Sequence, residues 1–176
     1  MIKSHFDCNH GGFRLHEGNR EMVEALCLWF SRDEKFAQRG YSTKKGIMLQ
    51  GASGLGKTET IRAISEHPRY PIRIFSMIKL ARMAEDEGGL FTLPSGLVLL
   101  DDVGSEPARI KHFGTERNVF QELIEISYFE RRPFHKILIT TNLDGDEIEE
   151  RYGYRVRSRL REMFNVIQVT GEDMRR

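Results

Sequence analysis

Short apolar runs spaced along the chain predict a sheet, and the segments between them predict helices. Leu97-Val-Leu-Leu100 and Lys136-Ile-Leu-Ile-Thr-Thr141 are continuous, the pattern of strands buried on both faces of a parallel sheet. Gly46-Ile-Met-Leu-Gln50 is the first strand. Tyr70-Pro-Ile72-Arg-Ile74-Phe75 alternates with period two and is the second, and Asn165-Val-Ile-Gln-Val169 brings the count to five. Met22, Val23, Leu26, Trp29 and Phe30 share one stripe of a helix capped by Asn19, and Ser76 is placed to cap a helix from Met77 to Glu85. Asp86-Glu-Gly88-Gly89 ends that helix. Apolar residues then return every three or four places from Phe113 to Tyr128, with Thr115 as cap and Pro133 marking the following loop. A last helix over Glu150 to Leu160 would dock through Val156 and Leu160 and set Arg151, Arg155 and Arg159 on one outward face.

Trp29 and Phe30 are read as core residues, with an adenine contact as the alternative. A length of 176 residues with 39% hydrophobic and 30% charged residues fits a single domain. The expected division is a lead-in over 1–18 and one core over 19–176. No run approaches the length needed to span a bilayer, and the first residues lack the apolar centre of a secretory signal, so a cytoplasmic protein without membrane association is expected. Two cysteines make no disulfide framework. His5, Cys8, His10 and His16 lack a second cysteine at a structural-zinc spacing, and the lead-in reading is preferred to a metal site. A net charge of +1 excludes a strongly basic nucleic-acid module and leaves room for a modest DNA contact.

The chemistry begins at Gly51-Ala-Ser-Gly54-Leu-Gly56-Lys57-Thr58, which fits the phosphate-loop pattern GxxxxGK[ST] at every specified place, directly after a strand and before a helix. Glycines at 51, 54 and 56 allow the backbone to turn its N–H groups onto a phosphate. Lys57 reaches the β and γ oxygens, and Thr58 offers a hydroxyl to Mg²⁺. The candidate nucleotide-binding residues are Gly51, Ala52, Ser53, Gly54, Leu55, Gly56, Lys57, Thr58 and Glu59, and the expected cofactors are ATP and Mg²⁺.

Asp101 and Asp102 emerge at the end of the third strand, where ligands of α/β sheets bind. Asp101 is the candidate metal ligand with Thr58, and Asp102 the group that orients or activates water. An acidic turn after a core strand is the bland alternative. Asn142 ends the fourth strand, where an uncharged amide can hold the lytic water without competing for the metal; a turn cap is its structural alternative. Guanidinium groups at Arg155 and Arg159 could reach the γ-phosphate of a neighbouring subunit. The candidate catalytic set is therefore Lys57, Asp102, Asn142, Arg155 and Arg159.

Taken together, these motifs resemble the AAA+ ATPases, and within them the ATPase domain of bacterial helicase loaders of the DnaC and IstB type. Gly51 to Thr58 looks like their Walker A motif, Leu97 to Asp102 like Walker B, Ile137 to Asn142 like sensor 1, and Tyr152 to Leu160 like the arginine-bearing box. The likeness runs from about residue 19 to 176. It implies a P-loop fold of AAA+ type, with a five-stranded parallel sheet in the order 5-1-4-3-2 flanked by helices. It also implies ATP hydrolysis at ATP-bridged interfaces between copies, coupled to a replicative helicase or to single-stranded DNA. Arg159 is slightly favoured over Arg155 as the finger, because Ser-Arg-Leu resembles the box of related initiator ATPases. No helical lid with a sensor 2 arginine and no helicase-gripping N-terminal domain is expected. A transposition-helper ATPase, a nucleotide switch or scaffold with little hydrolysis, and a small-molecule kinase are the other readings.

Overall fold

The computed structural model describes residues 17–87, 93–112, 115–171 and 173. Helices α1 (Glu17–Ser31) and α2 (Glu34–Gln38) precede strand β1 (Gly46–Gln50), helix α3 (Lys57–Ser65), strand β2 (Ile72–Ser76), helix α4 (Met77–Glu87) and strand β3 (Leu97–Val103). Two short strands follow, β4 (Ile110–His112) and β5 (Thr115–Arg117), then helix α5 (Val119–Phe129) and a 3-10 turn at Phe134–Lys136. Strand β6 (Ile137–Thr141), helices α6 (Gly145–Tyr152) and α7 (Tyr154–Met163), and strand β7 (Phe164–Gln168) complete the order.

The main sheet runs β2-β3-β6-β1-β7, and every pairing in it is parallel. Numbered among themselves in chain order, these five strands read 2-3-4-1-5 from one edge and 5-1-4-3-2 from the other. The central strands β1, β3 and β6 are apolar at consecutive positions because both of their faces are covered. Ile47, Leu49, Leu99 and Leu138 pack with α1, α2 and α3; Met48, Val98, Leu100, Ile137 and Ile139 pack with α4, α5, α6 and α7. Edge strand β2 keeps the alternation of a partly covered strand, with Arg73 exposed. Burial on both faces is the term that holds three layers together, at about 1.5–3 kcal/mol for each fully buried large apolar side chain.

Three local readings need correction. Helix α5 starts at Val119 rather than near Thr115, because Thr115–Arg117 pairs antiparallel with Ile110–His112 and Asn118 caps the helix by accepting from Gln121 N at 2.9 Å. Phe113 and Gly114 lie outside the described residues, as does the His5, Cys8, His10 and His16 cluster. Asn19 is not a cap: α1 already runs from Glu17, and Asn19 is buried within it. Ser76 ends β2 and directly precedes Met77, the first residue of α4, so it stands where the sequence places it. The arginine segment is two helices, not one, since Gly153 breaks it with φ 87° and ψ 158°. Arg151 therefore sits on α6, while Arg155 and Arg159 share α7.

Candidate functional site

A parallel sheet points all its strand ends the same way, so the C-terminal ends of β1, β3 and β6 converge on one rim. Sequence puts the phosphate loop after β1, the paired carboxylates at the end of β3 and Asn142 just past β6, and these strands are neighbours. The loop is pinned on both sides: Gly51 N donates to Thr141 O at 3.2 Å, and Val169 N donates to Gln50 O at 2.7 Å. Gly54 and Gly56 take φ values of 82° and 71°, and Gly56 stands in the left-handed conformation at the N-terminus of α3. A side chain at either position would strain the turn that aims backbone N–H groups into the cradle.

Lys57 opens α3, and its ammonium lies back under the loop. Its Nζ donates to Gly51 O at 2.6 Å, Ala52 O at 2.7 Å and Asn142 Oδ1 at 2.9 Å. Asn142 Nδ2 in turn donates to Ser53 Oγ at 2.9 Å and lies 3.5 Å from Asp102 Oδ1. One amide thus bridges loop, ammonium and carboxylate. On the other side, Thr58 Oγ1 donates to Asp101 Oδ1 at 2.6 Å, and Thr140 Oγ1 donates to the same oxygen at 2.8 Å.

Consecutive residues of a regular strand face opposite ways, yet both aspartates serve this rim. The reason is a shift in the β3–β6 ladder: Leu100 pairs with Ile139, and the next pairing is Val103 with Thr141. One extra residue is accommodated, and Asp102 adopts φ 60° there, with its N–H donating to Thr140 Oγ1 at 2.8 Å. Bulges of this kind re-aim side chains beside functional sites. Asp101 is half-buried and Asp102 exposed, so the first is held in place and the second open to solvent.

The remaining residues of the candidate set fall as follows. Ala52 and Ser53 are exposed on the loop, Leu55 is buried beneath it, and Glu59 is on the first turn of α3, 3.6 Å from Arg62. Arg155 is exposed and pairs with no carboxylate among the described residues. Arg159 is held within the subunit, its guanidinium 4.9 Å from the Tyr128 ring centre and 3.3 Å from Glu125. Trp29 lies in the core and donates Nε1–H to Lys45 O at 2.9 Å, just before β1 begins. Five strand residues at about 3.3 Å each separate that end from the phosphate loop, so Trp29 is not an adenine contact.

Two features escaped sequence reasoning. Glu106, 2% exposed, receives the Gly104 N–H at 2.9 Å and hydrogen bonds from the Tyr152 hydroxyl, while Arg151 donates to its main-chain carbonyl. Burial raises the Tyr152 hydroxyl far above the ordinary tyrosine range, and the Glu106 carboxylate pushes it further the same way. This network ties the turn after the aspartates to α6. The second feature is Asp173, whose carboxylate lies so close over Gly54 that a Cβ there would collide with it. Neither residue belongs to a local motif, and only the folded chain brings them to the site.

Thr58 and Asp101 supply hard oxygen atoms from a hydroxyl and a carboxylate, a donor set that fits Mg²⁺ held partly by protein and partly by substrate phosphates. A glycine turn at a helix N-terminus, a lysine beneath it and oxygen ligands beside it can bind and polarise a nucleoside triphosphate.

The arrangement is a P-loop fold of AAA+ type, a parallel sheet flanked by helices with the loop at its C-terminal rim. Solved structures share it. AMPPCP-bound DnaA from Aquifex aeolicus is similar with a TM-score of 0.56 and 20% identity, over 93% of this chain and 50% of that chain. A DNA replication initiation factor gives a TM-score of 0.56 and 19% identity over the same shares. Cdc6p from Pyrobaculum aerophilum gives 0.52 and 11%, over 96% of this chain and 49% of that one. Among curated proteins, the proteasome-activating nucleotidase of Methanosarcina mazei is 27% identical in a 144-residue alignment that covers 73% of this chain and 34% of that protein. The chain spans about half the length of these solved structures and about a third of that nucleotidase. No family model matches it. No helix among the described residues is long and apolar enough to cross a membrane.

Proposed function

We propose that this chain is an ATP-hydrolysing AAA+ module of the helicase-loader type, acting between copies of itself and engaging single-stranded DNA or a replicative helicase. The observation that carries the reading is the convergence of Lys57, Thr58, Asp101 and Asn142 from three adjacent strand ends, within 2.6 to 2.9 Å of one another in pairs. Likeness in fold to AMPPCP-bound DnaA and to a DNA replication initiation factor supports this reading over a small-molecule kinase.

In the proposed reaction the loop N–H groups and Lys57 bind the β and γ phosphates of ATP, Lys57 exchanging its loop carbonyl acceptors for phosphate oxygens. Thr58 and Asp101 would hold Mg²⁺, which would supply positive charge beside those phosphates. Asp102 and Asn142 hold the attacking water in line, with Asp102 taking its proton. Arg155, exposed on α7, serves as the group presented to the γ-phosphate of the next subunit. Arg159, favoured from sequence, is instead assigned to holding α7 against α5, since its guanidinium is engaged within its own subunit.

Binding of a fluorescent ATP analogue with Mg²⁺, alongside phosphate release, tests the reading in wild type, Lys57→Ala and Asp102→Asn. Lys57→Ala should lose binding; Asp102→Asn should bind and fail to turn over. Normal phosphate release by Asp102→Asn, or undiminished binding by Lys57→Ala, would contradict it.

A further inference from the structure

The opposite rim of the sheet carries a second concavity, and nothing in the ATPase chemistry uses it. Its volume is about 560 Å³, and it lies where the chain enters β2, β3 and β6, between the end of α1 and the 3-10 turn. Clefts of this size accept nucleotide-sized ligands. Its apolar wall is aromatic: Phe30 and Tyr70 are half-buried with ring centres 4.9 Å apart, and Trp29 meets Phe30 edge-on at 4.8 Å. Its polar rim is cationic. Arg32, Arg69, His135 and Lys136 line it, and among the described residues no aspartate or glutamate does.

Charge of one sign in a cleft with low-dielectric walls concentrates the opposite sign. Arg32 and Lys136 are exposed and form no ion pair among the described residues. The imidazole of His135 registers their charge: burial lowers its pKa, and the Arg32 and Lys136 charges lower it further. Arg69 lies over the Tyr70 ring, with its guanidinium carbon 5.9 Å from the centre. Aromatic faces and cations side by side are the two elements that hold a single strand, one for bases and the other for phosphates.

We propose that this concavity binds single-stranded nucleic acid, one base packing against Tyr70 and Phe30 while the flanking phosphates are held by Arg32, Arg69 and Lys136. It deepens the proposed function by naming the site for its single-strand partner, and it rests on that reading only for the partner, not for hydrolysis. Base stacking on an aromatic wall is tolerant of sequence, so the site would grip a strand without reading it. The chain's small net charge is compatible with this, because the cations are local to one rim.

Trp29 is the chain's single tryptophan and lines the cavity, so its fluorescence reports occupancy directly. Full-length wild type should show Trp29 quenching and a rise in anisotropy on titration with a labelled oligothymidylate of about 12 nucleotides. Tyr70→Ala should weaken binding about 5- to 150-fold, the range for losing one stacked base. Arg32→Gln with Lys136→Gln, both at exposed positions and safe for folding, should flatten the slope of log K against log salt by about 1.4, at about 0.7 for each phosphate of a single strand that is no longer neutralised. The same titrations in Lys57→Ala should be unchanged, which separates this site from the ATPase reading. Wild-type affinity and salt slope in the Gln double variant would place the strand elsewhere and overturn the proposal while leaving the ATPase intact. Quenching of Lys57→Ala by free thymidine monophosphate with an affinity equal to the oligonucleotide's would also overturn it, in favour of a mononucleotide pocket.

Discussion

The Lys57 ammonium and the Asn142 amide oxygen stand 2.9 Å apart although 85 residues separate them in the chain. The contact joins the phosphate loop to the end of β6, and it exists because β1 and β6 are neighbours in the sheet. Asn142 also reaches Ser53 and faces Asp102, so it couples the group proposed to hold phosphate to the group proposed to orient water. Substituting Asn142 with alanine should leave ATP affinity within a few fold of wild type and lower turnover by about 10²-fold or more, the scale for one placed polar group in a transition state. Separate measurement of nucleotide affinity and single-turnover hydrolysis decides it; unchanged hydrolysis would remove Asn142 from the reaction.

Asp102 carries a backbone demand besides its chemical one. At φ 60° it occupies the left-handed region, which asparagine and aspartate tolerate better than other side chains. Asp102→Asn should therefore abolish turnover with little loss of stability, whereas Asp102→Ala should abolish turnover and also cost about 1 kcal/mol. Urea unfolding of the two variants gives the comparison, and equal stability would mean the turn is not strained.

Arg159 and Arg155 should separate by readout. Arg159→Ala removes a cation packed on Tyr128 and an ion pair with Glu125, and should lower stability by about 1 kcal/mol. Arg155→Ala should leave the melting temperature unchanged. A melting curve on each variant checks this, and equal losses at both positions would contradict the division of roles.

Tyr152 makes stability depend on alkaline pH in a defined direction. Its hydroxyl titrates well above the unfolded value near 10, because burial and the Glu106 carboxylate oppose the phenolate. The native state keeps a proton that the unfolded chain gives up, so the contribution is full below about pH 10 and is lost as pH rises beyond it. Tyr152→Phe leaves Glu106 short of a donor and should cost about 1–3 kcal/mol at pH 7. That difference from wild type should shrink above pH 10. A constant difference up to pH 11 would show that the hydroxyl is not held protonated.

Asp173 places a negative charge at the loop proposed to bind phosphate. Asp173→Asn should tighten binding of ATP by about two- to five-fold at low salt, the scale of one charge at a helix N-terminus, and the gain should fade as salt increases. Isothermal titration at two ionic strengths tests it, and unaltered affinity at low salt would show that Asp173 leaves the loop when nucleotide binds.

What could be read in the sequence divides along a physical line. The phosphate loop, the two aspartates and Asn142 were legible because each lies at the end of a strand whose apolar run is itself a strong signal. The β4–β5 hairpin was not: strands of three residues carry no periodicity, and Val119, Phe120 and Leu123 drew the helix boundary back to Thr115. The break at Gly153 was hidden because arginines at 151, 155 and 159 keep helical spacing across it. Glu106 with Tyr152, Asp173 over Gly54, and the aromatic cavity at Tyr70 are tertiary encounters between distant segments, for which no local pattern exists. The contacts of Arg159 with Tyr128 and Glu125 are likewise tertiary, so its spacing with Arg155 does not reveal them.

The central claim is hydrolysis of ATP at a site completed by a second copy of the chain. Steady-state phosphate release per subunit, followed across protein concentration with Mg²⁺ and single-stranded DNA, tests it most directly when wild type, Arg155→Ala and an equimolar mixture of Arg155→Ala with Asp102→Asn are compared. The account predicts a wild-type rate per subunit that rises with concentration, a rate in Arg155→Ala lower by about 10³-fold, and partial recovery in the mixture, where each variant supplies what the other lacks. A wild-type rate independent of concentration, equal to that of Arg155→Ala and unaffected by mixing, would contradict it.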